Sequence, residues 1–201
     1  MDHHDIKNFN LIKQLSLINL GDTVVDVGAC HGAYTSFFVD QLGATGKVYC
    51  IELMPQTYTR LEMRFGHFKN VEFINAAVSD KTGREPIYAT DASEMNNIVG
   101  IYGHKVGEVV AITLDELLFN EKEISLIKID VEGAELKVLQ GMKDAIKRTN
   151  AILLEVHHDD IWPEIRKILI EDNGFSCYNI EMDTEISMSS QRPYQCLCRR
   201  P

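Results

Sequence analysis

Three observations predict an α/β domain built on a mostly parallel sheet. Short apolar strands alternate with helical stripes along most of the chain, the first strand ends in a glycine-rich turn, and an acid closes the second strand 24 residues beyond the first glycine of that turn. Residues 1–20 read as a helical cap, with apolar side chains at helical spacing over 6–15 and a stop at Gly21. Thr23 to Val27 is β-rich and is halted by Gly28. Ala33 to Leu42 reads as a helix with Phe37 and Phe38 inward, and 47–51 as the second strand. Tyr58, Leu61 and Phe65 form a helical stripe, and 71–74 a third strand. From 80 to 112 the rhythm gives way to an irregular insert with possible edge strands at 86–89 and 109–112. Alternation then resumes: a strand at 125–130, a helix at 132–142, a strand at 151–156, and a helix with Pro163 in its first turn. Segments 175–180 and 194–197 would close the sheet as a hairpin pair. No second domain boundary is visible, so 1–201 is read as one domain.

The composition supports that reading. With 201 residues and 45% hydrophobic content, the chain can bury a core without metal or disulfide support. Twenty Lys and Arg against 30 Asp and Glu give a net charge of −10, which disfavours nucleic acid and anionic membrane surfaces as partners. No apolar run approaches the roughly 18 residues a membrane span needs, and the start lacks the pattern of a secretory signal. Five cysteines show no metal-binding spacing, and Cys196 and Cys198 are poorly placed to bridge each other, so reduced cysteines in a cytoplasmic protein are expected.

The first glycine turn is the most informative local feature. In an open parallel sheet it sits at the carboxyl ends of the strands, where ligands bind. Gly28 and Gly32 supply unusual torsions and close approach across Ala29, and Glu52 at the next strand end can accept from both hydroxyls of a ribose. An adenosine-type cofactor follows. The spacing is neither the dinucleotide nor the Walker fingerprint. Asp26 before the loop suits a cationic ligand such as S-adenosylmethionine, with its sulfonium and α-amino group. Cys30 in the loop is read as a small packed residue, since no His–Asp set activates it.

The run Asp26-Val27-Gly28-Ala29-Cys30-His31-Gly32 resembles motif I of the seven-stranded class I methyltransferases. Lys128-Ile129-Asp130-Val131-Glu132-Gly133-Ala134-Glu135, followed by Val138-Leu139-Gln140-Gly141, resembles the signature of the FkbM family within them. Ile112-Thr113-Leu114-Asp115-Glu116-Leu117 and Leu154-Glu155-Val156-His157 fit the same family, and the likeness spans about residues 22–158 in order. The chain offers about one helix ahead of motif I, where many members carry longer capping segments. The resemblance implies a Rossmann-like fold with a central, mostly parallel seven-stranded sheet, an antiparallel C-terminal edge and helices on both faces. It also implies S-adenosylmethionine-dependent methylation of a hydroxyl on a small molecule or saccharide.

Site residues are expected accordingly. Asp26, Gly28, Ala29, Gly32 and Glu52 would hold the cofactor, with Asp80 near its adenine and Asp130 near its methionine part. Asp130, Glu155 and His157 end later strands and would face the acceptor, His157 as general base. Asn96, Asn97 and His104 are candidate acceptor contacts from the 80–112 insert, although a polar surface loop is the plainer reading. Glu132 and Glu135 are first-turn helix acids. The acids and histidines at Glu155, His157, His158, Asp159 and Asp160 invite a Mg²⁺ reading, but solvated loop acids explain them more simply. Two other readings compete: a non-catalytic S-adenosylmethionine-binding protein on this fold, and an NAD-dependent oxidoreductase. The second lacks a recognisable hydride-site set.

Overall fold

The computed structural model describes residues 3–89, 96–100 and 103–201. Its first helix, α1, spans His3–Gln14, followed by β1 (Thr23–Val27), α2 (Ala33–Leu42), β2 (Lys47–Ile51), α3 (Pro55–Phe65) and β3 (Val71–Ile74). Then come β4 (Ala77–Val78), β5 (Gly83–Ala89), β6 (His104–Ile112), α4 (Leu114–Leu117) and β7 (Ile124–Ile129). The last elements are α5 (Glu135–Gln140), β8 (Thr149–Glu155), α6 (Trp162–Arg166), β9 (Ser176–Asn179), β10 (Thr184–Glu185) and β11 (Gln195–Arg199).

The main sheet runs in the order β10-β9-β11-β8-β7-β1-β2-β3. Pairings from β3 to β8 are parallel, whereas β11, β9 and β10 pair antiparallel. All seven expected strands are present. The sheet has eight because the two-residue β10, too short to carry a hydropathy pattern, adds to the edge. β1 lies between β2 and β7, so the connection reverses direction there and opens a crevice at the carboxyl ends of β1 and β7.

Burial on both faces explains the apolar strands. All six residues of β7 are buried, as a central parallel strand requires. On one face α1 and α2 contribute Phe9, Ile12, Phe37 and Phe38; on the other, α5 and α6 contribute Val138, Leu139, Trp162 and Ile165. Each such side chain stabilises the fold by roughly 1.5–3 kcal/mol through transfer from water.

Three expectations need correction. The helix expected over 132–142 is only Glu135–Gln140, because Glu132 (φ 53°) and Gly133 (φ 101°) adopt left-handed torsions that a helix cannot include. The 80–112 insert is more regular than expected: β5 and β6 pair antiparallel, and β4 joins β6 to make a separate three-stranded sheet. Its residues 90–95 and 101–102 lie outside the described residues. The cysteines are not all reduced, since Cys177 and Cys198 are bonded. They stand opposite each other where β9 pairs with β11, a proximity set by sheet register and invisible in local spacing. Among the described residues, no helix is long and apolar enough to cross a membrane.

Candidate active site

A cleft of about 400 Å³ opens where β1, β2, β7 and β8 end. One side is made by Gly28, Ala29, Cys30 and Glu52, with Leu53, Ala77 and Ile98 as an apolar wall. The other side carries Asp130, Glu132 and Glu155, while Asn8 from α1 and Tyr194 and Gln195 around the start of β11 complete the enclosure.

The loop geometry follows from how tightly β1 approaches β7. Gly28 has φ 78°, and a Cβ there would lie 1.8 Å from the Asp130 carbonyl oxygen. Its N–H and that of Ala29 both donate to the Ile51 carbonyl at 3.0 Å, which pins the loop over β2. Glu52 accepts from the backbone N–H of Cys30 at 3.0 Å and of Met54 at 2.8 Å. Burial raises its pKa above the usual carboxylate range despite these bonds. Each of its oxygens keeps a second lone pair for a ligand hydroxyl.

Three residues expected at the cofactor do not line the cleft. Asp26 is fully buried behind the loop, accepting from Thr35 Oγ1 at 2.7 Å, so it anchors α2 to β1. Gly32 turns toward α3, where a Cβ would meet Phe65 at 2.4 Å and Leu61 at 2.8 Å; it is a packing glycine. Asp80 is exposed and accepts from Ser79 Oγ at 3.0 Å. Of the insert candidates, Asn96 lines the cleft. Asn97 instead accepts from the N–H groups of Val99 and Gly100, and His104 is exposed at the start of β6.

His157 lies behind the cleft-facing carboxylates, surrounded by four of them. Nδ1 is 2.8 Å from Glu135 Oε1, and Nε2 is 3.4 Å from both Glu132 and Glu155 and 3.9 Å from Asp130. Burial alone would lower its pKa, but Glu135 and Glu155 outweigh that and raise it to about 11. So raised, His157 would be an imidazolium at neutral pH, without the lone pair that the general-base role expected from the sequence needs. Glu135, fully buried, also accepts from the Gly133 N–H at 2.9 Å, which explains the sharp turn before α5. Glu155, although buried, is held below the usual range by bonds from His157, Tyr194 and Gln195. Glu132 is pushed up to about 7, mainly by burial and then by the neighbouring acids against the pull of His157. Asp130, Glu155 and His157 bring one ligand atom each within 4.8 Å of one another, a spacing compatible with a cation.

Lys128 opens the FkbM-like run, yet motif spacing gives it no role. Its ammonium is buried in β7, donating to the Gly28 carbonyl at 2.8 Å, with Asp130 at 3.3 Å and Asp26 at 3.7 Å. Burial would lower its pKa, yet those two acids raise it, so it stays charged. The available signal was a lysine inside an otherwise apolar strand.

The raised pKa of Glu132 carries a pH prediction. Stability linked to this group is fully present below its ordinary value of 4.5 and is lost as pH rises through about 7, amounting to about 3 kcal/mol. Glu132→Gln should flatten the decline of urea-unfolding free energy between those limits. An unchanged slope would mean that Glu132 is not buried among acids.

Comparison with known proteins bears on this site. Residues 26–177, more than half of the chain, match the family model described as "Methyltransferase FkbM domain". Hexuronic acid methyltransferase AglP of Haloferax volcanii is 26% identical over 159 residues, covering 75% of this chain and 62% of AglP. The 2-O-methyltransferase NoeI of Sinorhizobium fredii is 25% identical over 168 residues, covering 74% of this chain and 69% of NoeI. The chain thus spans less than two thirds of AglP. Among solved structures, an FkbM methyltransferase of Methylobacillus flagellatus superposes with a TM-score of 0.58 at 16% identity, over 89% of this chain and 43% of that one. An rRNA methylase of Streptococcus thermophilus gives 0.55 at 13% identity, over 98% and 95%. At these identities the structures speak for the fold alone.

Proposed function

The chain belongs to the FkbM methyltransferase family, and on that premise we propose that it transfers the methyl group of S-adenosylmethionine to a hydroxyl oxygen of a small molecule or saccharide. The observation that carries this reading is one cleft holding the Gly28 loop and Glu52 on one wall and Asp130, Glu132 and Glu155 on the other. Glu52 would accept from the ribose hydroxyls, and Leu53, Ala77 and Ile98 would offer apolar surface to adenine. The relatives' names, one acting on a hexuronic acid and one a 2-O-methyltransferase, support a saccharide acceptor.

The cofactor would supply an activated methyl, its carbon–sulfur bond breaking with the electron pair left on sulfur as the acceptor oxygen bonds the methyl carbon. The hydroxyl proton passes to a cleft carboxylate; Glu132, with a proton affinity near neutrality, suits that task. The remaining protein contributions are alignment and exclusion of water.

Calorimetric titration with S-adenosylhomocysteine, alongside NAD⁺, tests the reading. S-adenosylhomocysteine alone should bind, and Glu52→Ala should weaken it by about tenfold or more through loss of charge-assisted hydrogen bonds. Binding of NAD⁺ alone would sink the proposal. Binding of S-adenosylhomocysteine without methyl transfer to any member of a broad acceptor panel would favour a non-catalytic binder.

A further inference from the structure

The acceptor end of the cleft presents an imbalance of charge and of hydrogen-bonding groups. The lining acids Asp130, Glu132 and Glu155, with Asp26 and Glu135 buried behind them, outnumber the two cations Lys128 and His157. Four donor groups nearby are already committed to protein acceptors. Lys128 Nζ reaches the Gly28 carbonyl and Asp130, and His157 lies among its four acids. Gln195 Nε2 donates to Glu155 at 2.8 Å, and Asn8 Nδ2 donates to Tyr34 Oη at 2.7 Å and Gln195 Oε1 at 3.0 Å.

One acceptor atom is in the opposite position. Asn8 is 1% exposed and lines the cleft, yet its Oδ1 has no donor among the described residues. Glu132, also lining the cleft, has His157 as its ion-pair partner at 3.4 Å. A buried acceptor without a donor costs about 1–3 kcal/mol, so a ligand that supplies N–H or O–H groups there is favoured. A carboxylate ligand would meet acids and find the donors occupied.

We propose that the acceptor is a basic saccharide, carrying an ammonium group beside the hydroxyl that is methylated, and that Glu132, Glu155 and Asn8 select it over a uronic acid. This inference rests on the methyltransferase reading and deepens it. The ammonium lies among Asp130, Glu132 and Glu155, and a neighbouring group of the sugar donates to Asn8 Oδ1. The same acids could instead attract a divalent cation, which the test separates.

The test uses the full chain, loaded with S-adenosylhomocysteine in the presence of EDTA, and titrates it with the methyl glycosides of glucosamine, glucose and glucuronic acid. Methyl glucosaminide should bind about tenfold tighter than the neutral glucoside, the glucuronide should not bind, and Glu132→Gln should abolish the preference. Asn8→Ala, a second variant at an uncharged position, should weaken the glucosaminide and the glucoside together. Equal binding of the three sugars, binding of none, or tighter binding of the glucuronide would overturn the proposal while leaving the cofactor reading intact. Sugar binding that appears only when MnCl₂ replaces EDTA would overturn it in favour of a metal. Failure of S-adenosylhomocysteine itself to bind would overturn both readings.

Discussion

Gly28→Ala should destabilise the fold by more than about 3 kcal/mol and abolish S-adenosylhomocysteine binding. Two effects add. A non-glycine residue held at positive φ costs about 1–3 kcal/mol, and Gly28 sits at φ 78°. The added methyl would also lie 1.8 Å from the Asp130 carbonyl oxygen, so β1 and β7 must part at the strand ends that form the cleft. Gly174 provides the control: it has φ 69°, but a Cβ there meets nothing within 4 Å. Gly174→Ala should cost only about 1 kcal/mol, the torsional part alone. Urea unfolding of both variants decides the matter, and equal losses would refute the close approach of the loop to β7.

The second large effect is expected at His157. His157→Leu should cost about 3–5 kcal/mol near neutral pH, because it leaves the fully buried Glu135 without its counter-charge. The double variant His157→Leu, Glu135→Leu should recover at least half of that loss, since a buried ion pair can be replaced by apolar side chains at little net cost. In the wild type, the stability linked to His157 is fully present below its ordinary pKa of 6.5 and is lost as pH rises through about 11. Unfolding free energies of the two variants and the wild type complete the cycle. Additive losses would show that the imidazole and Glu135 are not a unit.

These expectations also indicate what can be read from residue order alone. β1, α2, β2 and β3 fall at the residues expected from hydropathy, because short buried strands and a Gly-bounded helix leave local patterns. Glu52 is placed in the cleft by its position at a strand end, which is likewise local information. The roles of Asp26 and Gly32 depend on which way a side chain or a close approach points after folding, and motif spacing does not encode that. The charge of His157 was not legible, because it is set by acids from two separate segments. Asn8, Tyr194 and Gln195 come from opposite ends of the sequence and meet only when α1 packs beside β11. Lys128 needed tertiary partners to explain why an ammonium would be buried.

The acidic floor of the cleft also bears on how a turnover would finish. In the proposed reaction the sulfonium cofactor would arrive with a positive charge on sulfur, and those carboxylates would favour its entry. Methyl transfer would convert that sulfur into a neutral thioether, so the reaction itself would remove one attraction holding the nucleoside in place. The spent nucleoside should therefore dissociate faster than the unreacted one. The surplus acids that would draw the reagent in would in this way limit product inhibition.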